Sequence, residues 1–155
     1  RRPTPRIDHV RLTLTKRTGD GVRVLLHLAE QAEGTKMTSA QLGSACNVSA
    51  GNMPTLVAAL ARAQLLDCTP GRGGGCRLGR PAAEITVAEV VEALEGSLDL
   101  ERCSIDERRC SDREFHCGMH RMWRDTHAAL ITHLSGLTLA EAARRQHVNE
   151  RAAIA

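Results

Sequence analysis

The chain has 155 residues, a net charge of +3 and six cysteines, enough for one domain with a real core or for a small domain plus an oligomerisation element. It has no apolar run long enough to span a membrane and no signal-peptide core, so the expectation is a cytoplasmic protein with no membrane partner. With no export signal, the cysteines point to metal or redox use rather than to a disulfide scaffold.

The charge is uneven. Residues 1–80 carry 12 Lys and Arg against 5 Asp and Glu, and residues 81–155 carry 9 against 13. A basic N-terminal half favours polyanions, most often nucleic acid phosphates. Phe115 and Trp123 are the only aromatics, too few to build the stacking platforms of single-strand binders, so duplex DNA is the expected partner.

Residues 1–11, with four arginines and two prolines, read as a flexible basic arm. Val22, Leu25, Leu26 and Ala29 have helical spacing and predict a helix over 18–32, capped by Thr18 or Asp20 and stopped at Gly34. Thr38 and Gln41 form a capping box for a short helix ending at Cys46, Asn47-Val48 turns the chain, and Ser49 is expected to start the next helix, with Leu56, Val57, Leu60 and Ala61 inward. Two short helices around a tight turn form a helix-turn-helix, whose second helix enters the major groove. Pro54 is tolerated only in a first turn, so that helix either begins near Met53 or is distorted.

Residues 65–69 and 76–78 read as paired strands around Pro70-Gly-Arg-Gly-Gly-Gly75, a glycine-rich hairpin able to press on a phosphate backbone, with Arg72 at its tip and Arg77 and Arg80 nearby. A nucleotide phosphate loop is a poor alternative, because no Gly-Lys-Ser/Thr follows and no helix opens directly after the glycines. Helix-turn-helix plus basic hairpin makes a winged helix. Thr86 and Glu89 cap another helix that stops at Gly96. A longer helix over 117–135 carries the stripe Met119, Met122, Trp123, Thr126, Leu130, His133 and Leu134, and Thr138 and Glu141 start a short last helix, with 146–155 frayed. The long helix has little to pack on within so small a domain, so a two-fold partner is its expected cover.

Between these helices lies Cys103-(x6)-Cys110-(x6)-Cys117-x-x-His120. Soft thiolates favour zinc, copper(I) or iron–sulfur clusters, and an imidazole can complete four positions. The spacers exceed those of most structural zinc sites, which suggests a loop draped around something larger than one ion. Cys46, Cys68 and Cys76 read as structural, with a Cys68–Cys76 disulfide switch as a minor alternative. Ser49 or Cys46 as a nucleophile would lack a base and an orienting group, so neither an enzyme nor a small-molecule substrate is expected.

Four stretches, in this order and spacing, resemble the IscR/NsrR-type (Rrf2) family of bacterial winged-helix regulators: Leu14-Thr15-Lys16-Arg17-Thr18 leading into Val22-Arg23-Val24-Leu25, Gly71-Arg72-Gly73-Gly74-Gly75, Ile85-Thr86-Val87-Ala88-Glu89-Val90-Val91, and the cysteine run. The resemblance covers about residues 12–144. It implies a homodimer on a palindromic operator, with an iron–sulfur cluster held by Cys103, Cys110 and Cys117. His120-Arg-Met-Trp-Arg-Asp125 resembles the branch in which a histidine three residues past the last cysteine completes a 2Fe–2S cluster. The Thr-rich start resembles the branch in which a carboxylate of the partner's first helix completes a 4Fe–4S cluster; here Gly19 occupies that place and Asp20 follows it. Pro70 stands where the family has a basic residue before the wing glycine.

The expected architecture is therefore mainly α with a small β-hairpin wing. It comprises the arm (1–11), a winged helix-turn-helix (12–96), a cysteine-rich cluster loop (97–120), and a dimerisation helix with a short C-terminal helix (117–145). The expected DNA contacts are Lys16, Arg17, Ser49, Asn52, Thr55, Arg72 and Arg77. The expected cofactor is a 2Fe–2S cluster on Cys103, Cys110, Cys117 and His120, with a 4Fe–4S cluster and the partner's Asp20 as the alternative. The expected function is a transcriptional regulator, a repressor by preference, that senses nitric oxide, redox state or iron supply. The competing reading is a zinc-stabilised or cluster-free interaction module.

Overall fold

A computed structural model describes residues 14–98 and 117–154, with side chains through His147; the basic arm, Cys103 and Cys110 lie outside the described residues. The elements run α1 (Lys16–Ala29), α2 (Ser39–Cys46), α3 (Met53–Arg62), β1 (Leu66–Thr69), β2 (Gly75–Leu78), α4 (Val87–Glu95), α5 (His120–Ser135) and α6 (Leu139–Ile154). This is the expected winged helix-turn-helix followed by a long helix.

α1 begins two residues before the expected start. Its cap is Thr15, whose hydroxyl accepts from the Thr18 N–H, not Thr18 or Asp20; both of those lie inside the helix with buried side chains. The helix ends at Ala29, ahead of Gly34. Val24, Leu25 and Leu28 face the core, and Gly21 permits the close approach of a neighbour: a Cβ there would sit 2.4 Å from Leu94 Cδ1 on α4.

The capping box of α2 forms as expected, with the Gln41 N–H donating to Thr38 Oγ1 and Gln41 Oε1 accepting from the Thr38 N–H. Asn47 takes the left-handed conformation at the helix end, a geometry that asparagine tolerates better than most residues. Ser49 does not begin α3. Its carbonyl accepts from the Asn52 and Met53 N–H groups in a separate turn, and the helix opens at Met53. That start places Pro54 in the first turn, where its missing N–H has no carbonyl to lose, so α3 is undistorted.

β1 and β2 pair antiparallel with Leu66 opposite Leu78, Asp67 opposite Arg77, Cys68 opposite Cys76, and Thr69 opposite Gly75. In the connecting turn a Cβ on Gly74 would lie 2.2 Å from the Thr69 carbonyl oxygen, so no other residue fits there without moving backbone. Cys68 and Cys76 are joined by a disulfide, the pairing expected only as a minor alternative. The register sets them directly opposite, with Cα atoms 4.1 Å apart.

α4 repeats the capping-box device with Thr86 and Glu89 and stops at Gly96. Its start is strapped to the start of α6: Val87 N–H donates to the Leu137 carbonyl at 2.8 Å and Leu139 N–H to the Ile85 carbonyl at 2.9 Å. Leu139 and Ala143 are buried on this body, and α6 lies along α1. The last helix is not short. It continues to Ile154, because residues 146–154 contain no glycine or proline and are rich in good helix formers.

α5 starts at His120 rather than at Cys117, and none of its residues is buried. Trp123, His127, Ile131 and Leu134 are half-buried on the side toward the body, whereas Met119, Met122, Thr126, Leu130 and His133 are exposed. Among the described residues α5 touches mainly α4.

Candidate nucleic-acid interface and cluster site

Lys16 and Arg17 on the first turn of α1 and Asn52 and Thr55 at the start of α3 line one cleft of about 330 Å³. All four are exposed, as is Ser49 in the preceding turn. The capped start of α1 and the first turn of α3 thus bring two cations and two small polar side chains to one cleft. Cations and polar groups at helix starts can bind phosphates and reach base edges.

At the wing the three arginines differ. Arg72, at the exposed tip, makes no hydrogen bond or ion pair among the described residues. Arg77 is held across the strand pair, donating from Nε and Nη2 to Asp67 Oδ2 at 2.9 and 2.7 Å. Arg80 donates to Glu89 Oε1 at 2.6 Å and to the Glu84 carbonyl. Burial pushes the Glu89 carboxyl up, but hydrogen bonds from Thr86 and from Arg80 outweigh it and hold the group below its ordinary range. Arg72 is therefore the wing cation with nothing to release before it meets a phosphate. The sequence foreshadowed the Arg77 pair only if the turn length was known, since register decides which side chains oppose one another.

Asp20 is almost fully enclosed, at 2 % exposure. Lys16 Nζ donates to its Oδ2 at 3.0 Å, and Arg23 pairs with its Oδ1. Two cations of its own helix thus occupy the carboxylate that the alternative ligand set would send to a partner subunit.

Glu95, at the end of α4, was not singled out in the sequence. One carboxylate oxygen accepts from the Thr15 N–H at 2.8 Å and from Thr18 Oγ1 at 2.5 Å, and these hydrogen bonds, that from Thr18 first, hold its pKa below the ordinary value. The chain entering the cysteine segment is thereby fastened to the start of α1. The partners lie 80 and 77 residues apart, so no local pattern could have revealed them.

Cys117 and His120 share one turn at the head of α5, where the His120 N–H donates to the Cys117 carbonyl at 3.0 Å. Cys117 is a free, half-buried thiol. No group of three or more metal-binding side chains comes together among the described residues, and Cys103 and Cys110 lie outside them. The donor set still suits an iron–sulfur cluster: a thiol and an imidazole already stand in one turn, and two more thiols are encoded in the adjoining segment. Cys46 differs. It is buried, and that burial raises its thiol pKa, the environment of an inert structural cysteine.

Comparison with known proteins identifies the family. A model of the Rrf2 family, described as iron-dependent transcriptional regulators, matches residues 14–145. The predicted HTH-type transcriptional regulator ORF2 of Azotobacter vinelandii is 33% identical over 139 residues, covering 90% of this chain and 84% of that protein. The HTH-type transcriptional regulator IscR of Escherichia coli is 29% identical over 137 residues, covering 88% and 83%. Among solved structures, IscR of T. potens superposes with a TM-score of 0.71 at 20% identity over 88% of this chain and 89% of that one. CymR, the global cysteine regulator of B. subtilis, gives 0.69 at 23% identity over 86% and 98%. At those identities the two structures speak for the fold alone. No helix among the described residues is long and apolar enough to cross a membrane.

Proposed function

The chain belongs to the Rrf2 family of winged-helix, DNA-binding transcriptional regulators, and we propose that it acts as a homodimeric repressor whose DNA binding is governed by an iron–sulfur cluster sensing nitric oxide, redox state or iron supply. The observation that carries this reading is the donor turn at the head of α5, with Cys117 free and His120 in the same turn. In this reading Cys103, Cys110, Cys117 and His120 hold a cluster, 2Fe–2S in preference to 4Fe–4S. Such a cluster supplies a centre that gains or loses an electron and reacts with small oxidants. His120 is preferred over the partner's Asp20 because Asp20 is enclosed and paired within α1.

On DNA, Ser49, Asn52 and Thr55 sit where the first turn of α3 meets base edges in the major groove. Arg17 and Arg72 answer phosphates on either side and set register without reading sequence; Lys16 and Arg77 contribute less, being engaged by Asp20 and Asp67. Two copies related by a two-fold axis, covering one another's exposed α5 apolar side chains, would present two recognition helices to a palindromic operator. Glu95 links the cluster segment to the α1 cations through Thr15 and Thr18, a short path from ligation to DNA contact. Purification without oxygen tests the reading. The expected product is coloured and carries iron and acid-labile sulfide, and replacing Cys103, Cys110 or Cys117 by Ala bleaches it. A colourless protein holding one zinc per chain under those conditions would overturn the cluster and favour a zinc-stabilised module.

A further inference from the structure

The wing carries a chemical group that the cluster reading does not use. Cys76 donates its N–H to the Met37 carbonyl at 2.8 Å, and its own carbonyl accepts from the Met37 N–H at 2.9 Å. Both backbone polar groups of Cys76 thus face the segment that leads into α2, away from β1. The Cys68–Cys76 rung is therefore a non-hydrogen-bonded pair, the position at which antiparallel neighbours approach most closely. Its two sulfurs are bonded. We propose that Cys68 and Cys76 form a reversible redox site, oxidised by low-molecular-weight disulfides, that sets how tightly the wing grips DNA.

The two thiols divide the work by exposure. Cys68 is half-buried on the outer strand and open to a small disulfide, whereas Cys76 is buried against the core. The Cys68 thiolate attacks one sulfur of RSSR, forming a mixed disulfide and releasing RSH after proton uptake. The Cys76 thiolate then attacks the Cys68 sulfur and releases the second RSH. The protein loses two thiol hydrogens, RSSR is reduced to two RSH, and excess RSH reverses both steps. Cys46 competes poorly, because burial raises its thiol pKa.

The place of the bond gives the chemistry a consequence. It crosses a hairpin of two four-residue strands joined by a glycine-rich turn with Arg72 at the tip, and the glycines give that turn more conformational freedom to lose than other residues would. A covalent rung one residue pair below the turn holds the tip in one geometry and removes the ordering that DNA binding would otherwise require. The same rung adjoins the Met37 clamp and the Lys36 Nζ to Thr69 Oγ1 contact at 3.2 Å, so the wing and the approach to α2 are fixed together.

The inference rests on the wing touching DNA but not on the cluster. The test uses full-length protein, kept without oxygen and equilibrated with either glutathione or glutathione disulfide. A non-reducing peptide map looks for the Cys68–Cys76 link, and binding is measured to a duplex that the protein itself has enriched from a random-sequence pool. The expected result is a link that forms with glutathione disulfide and is lost with glutathione. The oxidised form should bind about three- to ten-fold more tightly, and Cys68→Ser should abolish that difference. Cys76→Ser should do the same; if it fails to fold, the half-buried Cys68 carries the test alone. A link that never forms, or that glutathione never opens, overturns the site. A link that forms without changing affinity overturns its effect on the grip, and loss of binding in Arg72→Ala would then still uphold the wing contact. A response abolished by Cys103→Ala but kept in Cys68→Ser would assign it to the cluster segment and overturn the proposal.

Discussion

The winged-helix body and α5 are built from similar proportions of apolar residues but put them to opposite use. In the body, Val24, Leu25, Leu42, Leu60, Ile85, Val90 and Leu139 are completely enclosed. In α5 no residue is buried, and Met119, Met122 and Leu130 are 45%, 49% and 41% exposed. One region satisfies its hydrophobic stripe inside a single chain. The other satisfies only the Trp123, His127, Ile131 and Leu134 side, and even there the Trp123 indole N–H has no acceptor among the described residues. The open second face of α5 is where the proposed dimer would supply packing, since packing rather than propensity provides most helical stability.

The comparison can be broken most severely in the core. Leu25→Ala should lower unfolding stability by about 2–5 kcal/mol, since the enclosed site cannot collapse around the cavity, and denaturant titration of the dilute protein reads this directly. Leu130→Asp should leave the far-ultraviolet spectrum of the body intact while weakening self-association by about ten-fold or more, as a charge placed on an apolar contact does. Sedimentation at varied concentration measures it, and unchanged association would place the dimer contact elsewhere.

Smaller effects follow on the surface. Arg72→Ala should weaken binding to duplex DNA broadly across sequences and reduce the salt slope by about one unit, the mark of a single lost phosphate contact. A change in base preference at one position would instead assign Arg72 to groove readout. Smallest of all is Glu95→Gln. Because the folded pKa of Glu95 is lowered, its contribution to stability is present above the unfolded value of about 4.5 and is lost as pH falls through the lower folded value. The variant should therefore melt roughly 1–2 °C below the parent at neutral pH and converge with it in acid, a modest effect because the carboxylate is exposed. A constant gap at every pH would show that the carboxylate charge does not hold α1.

Local signals carried the body. Thr38 with Gln41 and Thr86 with Glu89 marked two helix starts to the residue, and the glycine run marked the wing, because caps and tight turns are decided by neighbours a few positions away. The misses have two causes: a deciding partner distant in sequence, or a local signal outweighed by another a few positions away. The start of α1 was misplaced because Thr18 and Asp20 look like caps until Glu95 and the flanking cations are seen to enclose them. Ser49 looked like a helix start until Pro54 fixed the first turn at Met53. The Cys68–Cys76 bond depended on a register that the hairpin length alone does not give, and α6 outran its expected end because residues 146–154 hold no glycine or proline to stop the helix. The donor set is the reverse case: the sequence spells all four residues, and Cys117 and His120 are the two that the structure describes.

The central claim is that the sensing chemistry sits at the head of α5 and not on the carboxylate enclosed in the body. The visible absorption spectrum of protein purified without oxygen, compared among the parent, His120→Ala and Asp20→Ala, tests it most directly. The account predicts that His120→Ala shifts the cluster's bands or sharply shortens its lifetime, whereas Asp20→Ala leaves both nearly unaltered. An unchanged spectrum in His120→Ala together with a bleached Asp20→Ala would contradict it and give the fourth position to the partner's first helix.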